Sequence, residues 1–180
     1  LEIAKEFFHS KMARNIEAEV ERIFTEMPAH MSRFRSAQPN IRPRYIISEA
    51  VVKLHNLGYT DFEIRGDGSE GVVFKKDDLA IKVHHENVQF NNEALNLMEE
   101  LSTKSVSCLP NNFKLQYSEP TIISYDWVEG EHPNFETNVG PWLDLLRECK
   151  ENKFVYWDLK PLNLILTQDN RLVIIDIGRD

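Results

Sequence analysis

The sequence predicts an α+β protein: a helical extension over residues 1–57, then a mixed domain over residues 58–180 built on a small antiparallel sheet. Three observations predict it. From residue 2 to about 27, apolar residues recur at steps of three or four, the spacing of one helix face. From Tyr59 onward, short β-branched and aromatic runs alternate with turn residues, the texture of hairpins. Two later windows, 88–102 and 141–152, return to helical spacing, so strands and helices share the second part.

Composition sets the bounds. A chain of 180 residues with 42% hydrophobic content can bury one sizeable core, divided at most between two lobes. The net charge is −8, with no concentrated basic face, which speaks against nucleic acid as a partner. Cys108 and Cys149 lie far apart and match no metal spacing, pointing to a reducing compartment or no redox role. No apolar run approaches the ~20 residues of a membrane span. The chain opens at Leu1 without an initiator Met or a signal-peptide pattern, so a trimmed start is expected.

The first helix carries Ile3, Phe7, Phe8, Met12, Ile16, Val20, Ile23 and Phe24 on one stripe, and Pro28 ends it. Met31 and Phe34 fit a short second helix, and Ser36 to Asn40 reads as a linker. Residues 45–57 are helical again through Ile46, Ile47, Val51, Val52 and Leu54, with Gly58 as C-cap. Arg33, Arg35, Arg42 and Arg44 surround the linker, either as a solvated face or as a dock for an acidic partner.

The run Phe62 to Arg65 leads into Gly66-Asp67-Gly68-Ser69-Glu70-Gly71-Val72-Val73-Phe74, then a turn at Lys76 to Asp78, then Leu79-Ala80-Ile81-Lys82-Val83. Glycines let a backbone fold closely over phosphate oxygens and present N–H groups to them. In dinucleotide folds the third glycine opens a helix, whereas Gly71 leads into another strand, which favours a flexible phosphate lid. Alone, Lys82 reads as a snorkelling surface lysine. The hairpin instead brings it under the lid. An ammonium near a polyphosphate needs an orienting anion, and Glu93 on the 88–102 helix, one turn before Leu97, is preferred over Glu86, Glu99 and Glu100.

Phe113 to Tyr117 and Thr121 to Tyr125 form a strand pair, followed by a connector, Asp126-Trp127-Val128-Glu129-Gly130, able to offer backbone groups to a purine edge. Residues 130–140 are irregular. The 141–152 helix is expected to turn Trp142, Leu143, Leu145, Leu146 and Cys149 inward. In the tail, Asp158, Lys160 and Asn163 lie between apolar stretches, and Asp176 follows the strand-like run Leu172 to Ile175. That set suits phosphoryl transfer: one carboxylate near the attacking hydroxyl, an amide and a second carboxylate on magnesium, an ammonium on the moving phosphate.

Taken in order, the glycine lid, Ala80-Ile81-Lys82, Glu93, the connector, Asp158-Leu159-Lys160-Pro161-Leu162-Asn163 and Asp176-Ile177-Gly178 resemble the protein-kinase fold over residues 62–180. The resemblance implies a minimal, atypical protein-kinase-like fold. It has an antiparallel-sheet N-lobe (about 58–126), a hinge (about 126–130), a reduced C-lobe (about 131–180) and extra N-terminal helices that brace the nucleotide lobe. It implies that ATP is enclosed by Gly66, Asp67, Gly68, Ser69, Glu70, Gly71, Val73 and Ala80, with backbone groups of Asp126 and Val128 on adenine. Lys82 would hold the α- and β-phosphates, oriented by Glu93. Asp158 would act on the substrate hydroxyl, Lys160 on the γ-phosphate, and Asn163 and Asp176 on Mg2+.

The departures are specific. Tyr156-Trp157 stands where His-Arg is usual, and Ile177 replaces Phe. The chain stops at Asp180, so a kinase with no activation loop is expected, in keeping with the missing arginine that would read one. Such a kinase is most similar to minimal bacterial type III effector kinases, and among them to those that phosphorylate and inactivate the host Hsp90 chaperone. That likeness implies secretion into a host cell, action in the host cytoplasm, and a host protein substrate, with no nucleic acid or membrane partner. Two other readings stay open: a pseudokinase or binding module, and a small-molecule kinase.

Overall fold

In the computed structural model, the described residues are 2–26, 41–67, 70–85, 92–118, 121–154 and 158–176. Pro28, the expected helix at Met31 and Phe34, the linker from Ser36 to Asn40, Glu86, and Gly68, Ser69, Tyr156, Trp157, Ile177 and Gly178 lie outside them. The chain divides into two units, residues 1–77 with 81–85 and residues 78–80 with 86–180.

The first unit opens with helices α1 (Glu2–Glu26) and α2 (Ile41–Asn56). Among the described side chains of α1, Val20, Ile23 and Phe24 are buried and Ile16 is half-buried, while Met12 is exposed. α2 buries Ile47, Ala50, Val51 and Leu54, the steps of three and four that line one helix face. Val52 is exposed, because each helical residue turns about 100° from the one before. Gly58 closes α2 at φ +85°. Its N–H bonds His55 O and the Tyr59 N–H bonds Leu54 O, both at 2.9 Å, a Schellman stop that satisfies two terminal carbonyls.

Strands β1 (Glu63–Asp67) and β2 (Gly71–Lys76) then pair antiparallel, Ile64 opposite Phe74 and Asp67 opposite Val72, with a bulge between Ile64 and Gly66. Helices α1 and α2 and strands β1 and β2 share one unit. Phe62 explains why. Its ring lies edge-on to His55 (6.1 Å) and to Phe74 (5.1 Å), and its carbonyl accepts a hydrogen bond from Arg22 of α1. Arg22 also bonds Glu19 and Glu26.

β3 (Leu79–His84) follows a turn at Asp77 (φ 52°). The second unit holds α3 (Asn92–Thr103), β4 (Lys114–Ser118), β5 (Thr121–Asp126), α4 (Val139–Glu151), a 3-10 turn (Pro161–Asn163), β6 (Leu164–Leu166) and β7 (Leu172–Ile174). The protein is therefore a mixed α+β chain with four α-helices among the described residues and a five-stranded sheet in the order β1-β2-β3-β5-β4. β6 and β7 form a separate hairpin, Leu164 opposite Ile174 and Leu166 opposite Leu172.

The core of the second unit gathers Leu95, Met98 and Leu101 of α3, Ile123 and Tyr125 of β5, Leu145 and Cys149 of α4, and Leu164, Leu172 and Ile174 of the hairpin. α4 corrects the sequence reading. Pro141, Leu145 and Cys149 are buried at steps of four, whereas Leu143 (56%) and Leu146 (49%) are exposed. Leu143 lies two residues from Leu145, nearly opposite it on the helix. Glu148 anchors α4 by accepting hydrogen bonds from the N–H and hydroxyl of Ser107. Among the described residues, no helix is long and apolar enough to cross a membrane.

Candidate active site

The first cluster stands at the corner where β2 begins. A Cβ on Gly71 would lie 2.4 Å from Val83 O, so only glycine lets β2 start this close to β3. The His85 N–H bonds Glu70 O at 2.9 Å across the same corner. β3 is buried along nearly its whole length, and Lys82 with it at 4% exposure, so the snorkelling surface lysine is ruled out. Its Nζ lies 3.9 Å from Glu70 Oε2. A buried ammonium needs an anion, and Glu70, assigned from sequence only to the lid, supplies one.

The second cluster is local in sequence. Asp158 Oδ2 accepts hydrogen bonds from Lys160 Nζ and from Asn163 Nδ2, both at 2.7 Å. The same amide reaches Asp158 O at 3.0 Å. The 3-10 turn makes this reach possible, with Asn163 N–H on Lys160 O (2.9 Å) and Pro161 supplying a preset φ where no N–H donor is needed. Asn163 is buried, while Asp158 and Lys160 are about half exposed. The Lys160 ammonium first, then the Asn163 amide, hold the Asp158 carboxyl below its ordinary range.

Around this turn the chain is clamped from several sides. His132 Nδ1 bonds Leu164 O (2.9 Å) and Pro161 O (3.2 Å), so it carries the proton there. Glu131 and Leu166 exchange backbone hydrogen bonds. Gly130, at φ +155°, passes so near that a Cβ would lie 2.2 Å from Leu166 O. Asp176 follows β7 half-buried. Just before it, Ile175 N–H bonds Asn163 O, and Ile175 O accepts the Tyr125 hydroxyl, each at 3.0 Å. Burial, with the nearby negative charge of Asp176, pushes the Tyr125 phenol well above its usual range, so it stays a donor.

The structure thus brings together Glu70, Gly71 and Lys82 in one unit and Asp158, Lys160 and Asn163 in the other. Gly66 and Asp67 lie on β1 opposite Val73 and Val72. Ala80 is buried in the core of the second unit. Glu93 and Leu97, one turn apart on α3, are both exposed, whereas Leu95, Met98 and Leu101 are buried. Of the competing acids, Glu100 pairs with Lys104. At the connector, the Asp126 N–H is taken by Asn111 O (2.9 Å) and cannot serve a purine, while among the described residues Val128 has no main-chain partner. Sequence reasoning did not foresee Glu70 within reach of Lys82, nor the contacts of His132 and Tyr125. A pocket lined by Arg22, Ile23, Glu26, Glu63, Ile64 and Arg65 includes none of the predicted site residues, and its arginines are paired with glutamates. No group of three or more His, Cys, Asp or Glu among the described residues could hold a metal ion.

No family model matches the chain, and no curated protein does. Among solved structures, one titled "PpkA-294 apo form" is similar, at 14% identity and a TM-score of 0.45, over 66% of this chain. This chain spans 58% of that one.

Proposed function

We propose that the protein is an ATP- and magnesium-dependent serine/threonine protein kinase. The observation that carries the reading is the Asp158–Lys160–Asn163 cluster, in which one carboxylate is oriented by an ammonium and a buried amide. The residues present fit the cofactor. The glycine-only corner at Gly71 and the buried ammonium of Lys82 suit phosphate oxygens. Asn163 and Asp176 suit Mg2+, which usually takes one or two protein oxygens and fills its shell with phosphate and water, so no cluster of three acids is needed. Among the described residues the Val128 main chain has no main-chain partner, which suits a purine edge.

ATP bound with magnesium supplies the γ-phosphoryl group. Asp158 stays ionised at neutral pH, and its lowered pKa makes it a weak base. Its work is to align the substrate hydroxyl by accepting its hydrogen bond, which suits a transfer dominated by positioning and charge. Lys160 neutralises charge on the moving phosphate, and Lys82 holds the phosphates that stay behind. Glu93 is the proposed orienting acid on α3.

We further propose a host protein as substrate, specifically the Hsp90 chaperone, met in the host cytoplasm after secretion from a bacterium. The support is the resemblance of motif order and small architecture to effector kinases of that kind. Incubation with radiolabelled ATP, magnesium and the purified chaperone should transfer label to a chaperone serine. Asp176→Ala should abolish the transfer, and an unlabelled chaperone with the intact protein would refute the substrate. Thermal stabilisation by ATP with magnesium tests the kinase reading separately.

A further inference from the structure

Glu70 and Lys82 face each other at the start of β2. The lysine side chain is 5% exposed, the glutamate side chain 24%, and their charged atoms stand 3.9 Å apart. Charge-assisted hydrogen bonds close to about 2.7–2.9 Å, so this pair is loose. The backbone of Glu70 is tied at the corner: its carbonyl holds the His85 N–H, and Gly71 beside it lies so close to Val83 O that a Cβ there would clash. The carboxylate can therefore leave Lys82 only by side-chain rotation toward solvent. A phosphate oxygen arriving at Lys82 meets a like charge already at the same ammonium, and the two anions repel.

We propose that Glu70 is a built-in competitor for the phosphate position at Lys82. It holds the ammonium in the nucleotide-free protein and swings outward when a polyphosphate takes its place. It is a positioning residue that sets polyphosphate affinity and takes no part in transfer. This inference rests on the ATP reading above and names a control on that site.

The test is binding of ATP, inorganic triphosphate and adenosine to the full chain by calorimetry, with thermal melting of the free protein. Glu70→Gln should tighten ATP and triphosphate on the order of tenfold, leave adenosine unchanged, and lower the melting temperature of the free protein. Glu70→Ala, as a second variant, should shift triphosphate affinity in the same direction. In a Lys82→Met background, Glu70→Gln should leave triphosphate affinity unchanged. If wild type binds ATP and Glu70→Gln binds it no tighter, this inference falls alone. A gain that persists without Lys82 also overturns it, since the effect would then be one of general charge. If wild type binds neither ATP nor triphosphate, the ATP reading falls as well.

Discussion

Two lysine–carboxylate pairs, one in each unit, differ in opposite senses. Lys160 and Asp158 are 54% and 50% exposed yet only 2.7 Å apart. Lys82 and Glu70 are 5% and 24% exposed yet 3.9 Å apart. The short pair is short because it is local: a single turn brings both side chains together, with Asn163 completing the contact. In water such pairs add little stability, so the value of this one is orientation. The long pair sits at a corner where Glu70 O is tied to the His85 N–H and Gly71 lies close against Val83. Its ammonium has little water to fall back on and always needs an anion. A buried cation with a loose anion is suited to exchanging partners, and an exposed pair with tight geometry to holding one carboxylate still.

The largest expected effect separates the pairs by activity. Lys82→Met should cut kcat/KM for phosphate transfer about 10²–10³-fold, the usual loss for one buried charge-stabilising donor. Lys160→Met, whose ammonium is half in water, should cost clearly less. Equal losses in steady-state assays would break the contrast.

A smaller effect concerns pH. The folded pKa of Asp158 is depressed, so its ionised form is complete above the ordinary value of about 3.9 and is lost only as pH falls through the lower folded value. The kcat/KM profile should therefore show no limb from Asp158 between pH 5 and 8, where the values follow from that ordinary range of about 4. Lys160→Met should move the acid limb upward toward ordinary carboxylates. A wild-type limb near pH 6, about two units above that range, would contradict the tight pair.

The smallest effect tests the frame behind the exposed pair. Tyr125→Phe removes the donor to Ile175 O and should cost about 1 kcal/mol in denaturant unfolding. The folded phenol is raised, so its contribution is complete below the ordinary value of about 10 and fades as pH climbs through the higher folded one. The variant should lose stability less steeply in alkali than wild type, and parallel curves would show that the phenol titrates normally.

What the sequence made legible was local. The glycine hairpin reads from Gly66, Gly71 and Lys82, because turn residues and strand runs fix which residues face one another. Asp158, Lys160 and Asn163 read from spacing alone, since one turn spans them. Leu97 shows the limit: periodicity groups it with Glu93 but does not say that it stands in water. The same holds for Leu143 and Leu146 on α4. That Glu70 comes near Lys82 depended on how the corner at Gly71 closes against Val83, an approach the glycine permits but its presence in the sequence does not announce. His132 and Tyr125 act across 32 and 50 residues of chain, where no local pattern reports them.

Those long reaches bear on the order of folding. The Asp158–Asn163 contact spans only 5 residues, but the bonds that frame it span 32 from His132 to Leu164 and 50 from Tyr125 to Ile175. Closing a longer loop is cheap at equilibrium, about 0.6 kcal/mol per doubling of length, but slow in time, because distant strands must meet before any contact rewards the search. The Asp158 turn is thus expected to gain its rigid frame among the last events of folding, and hydrogen exchange at Asn163 and Ile175 should report that late step.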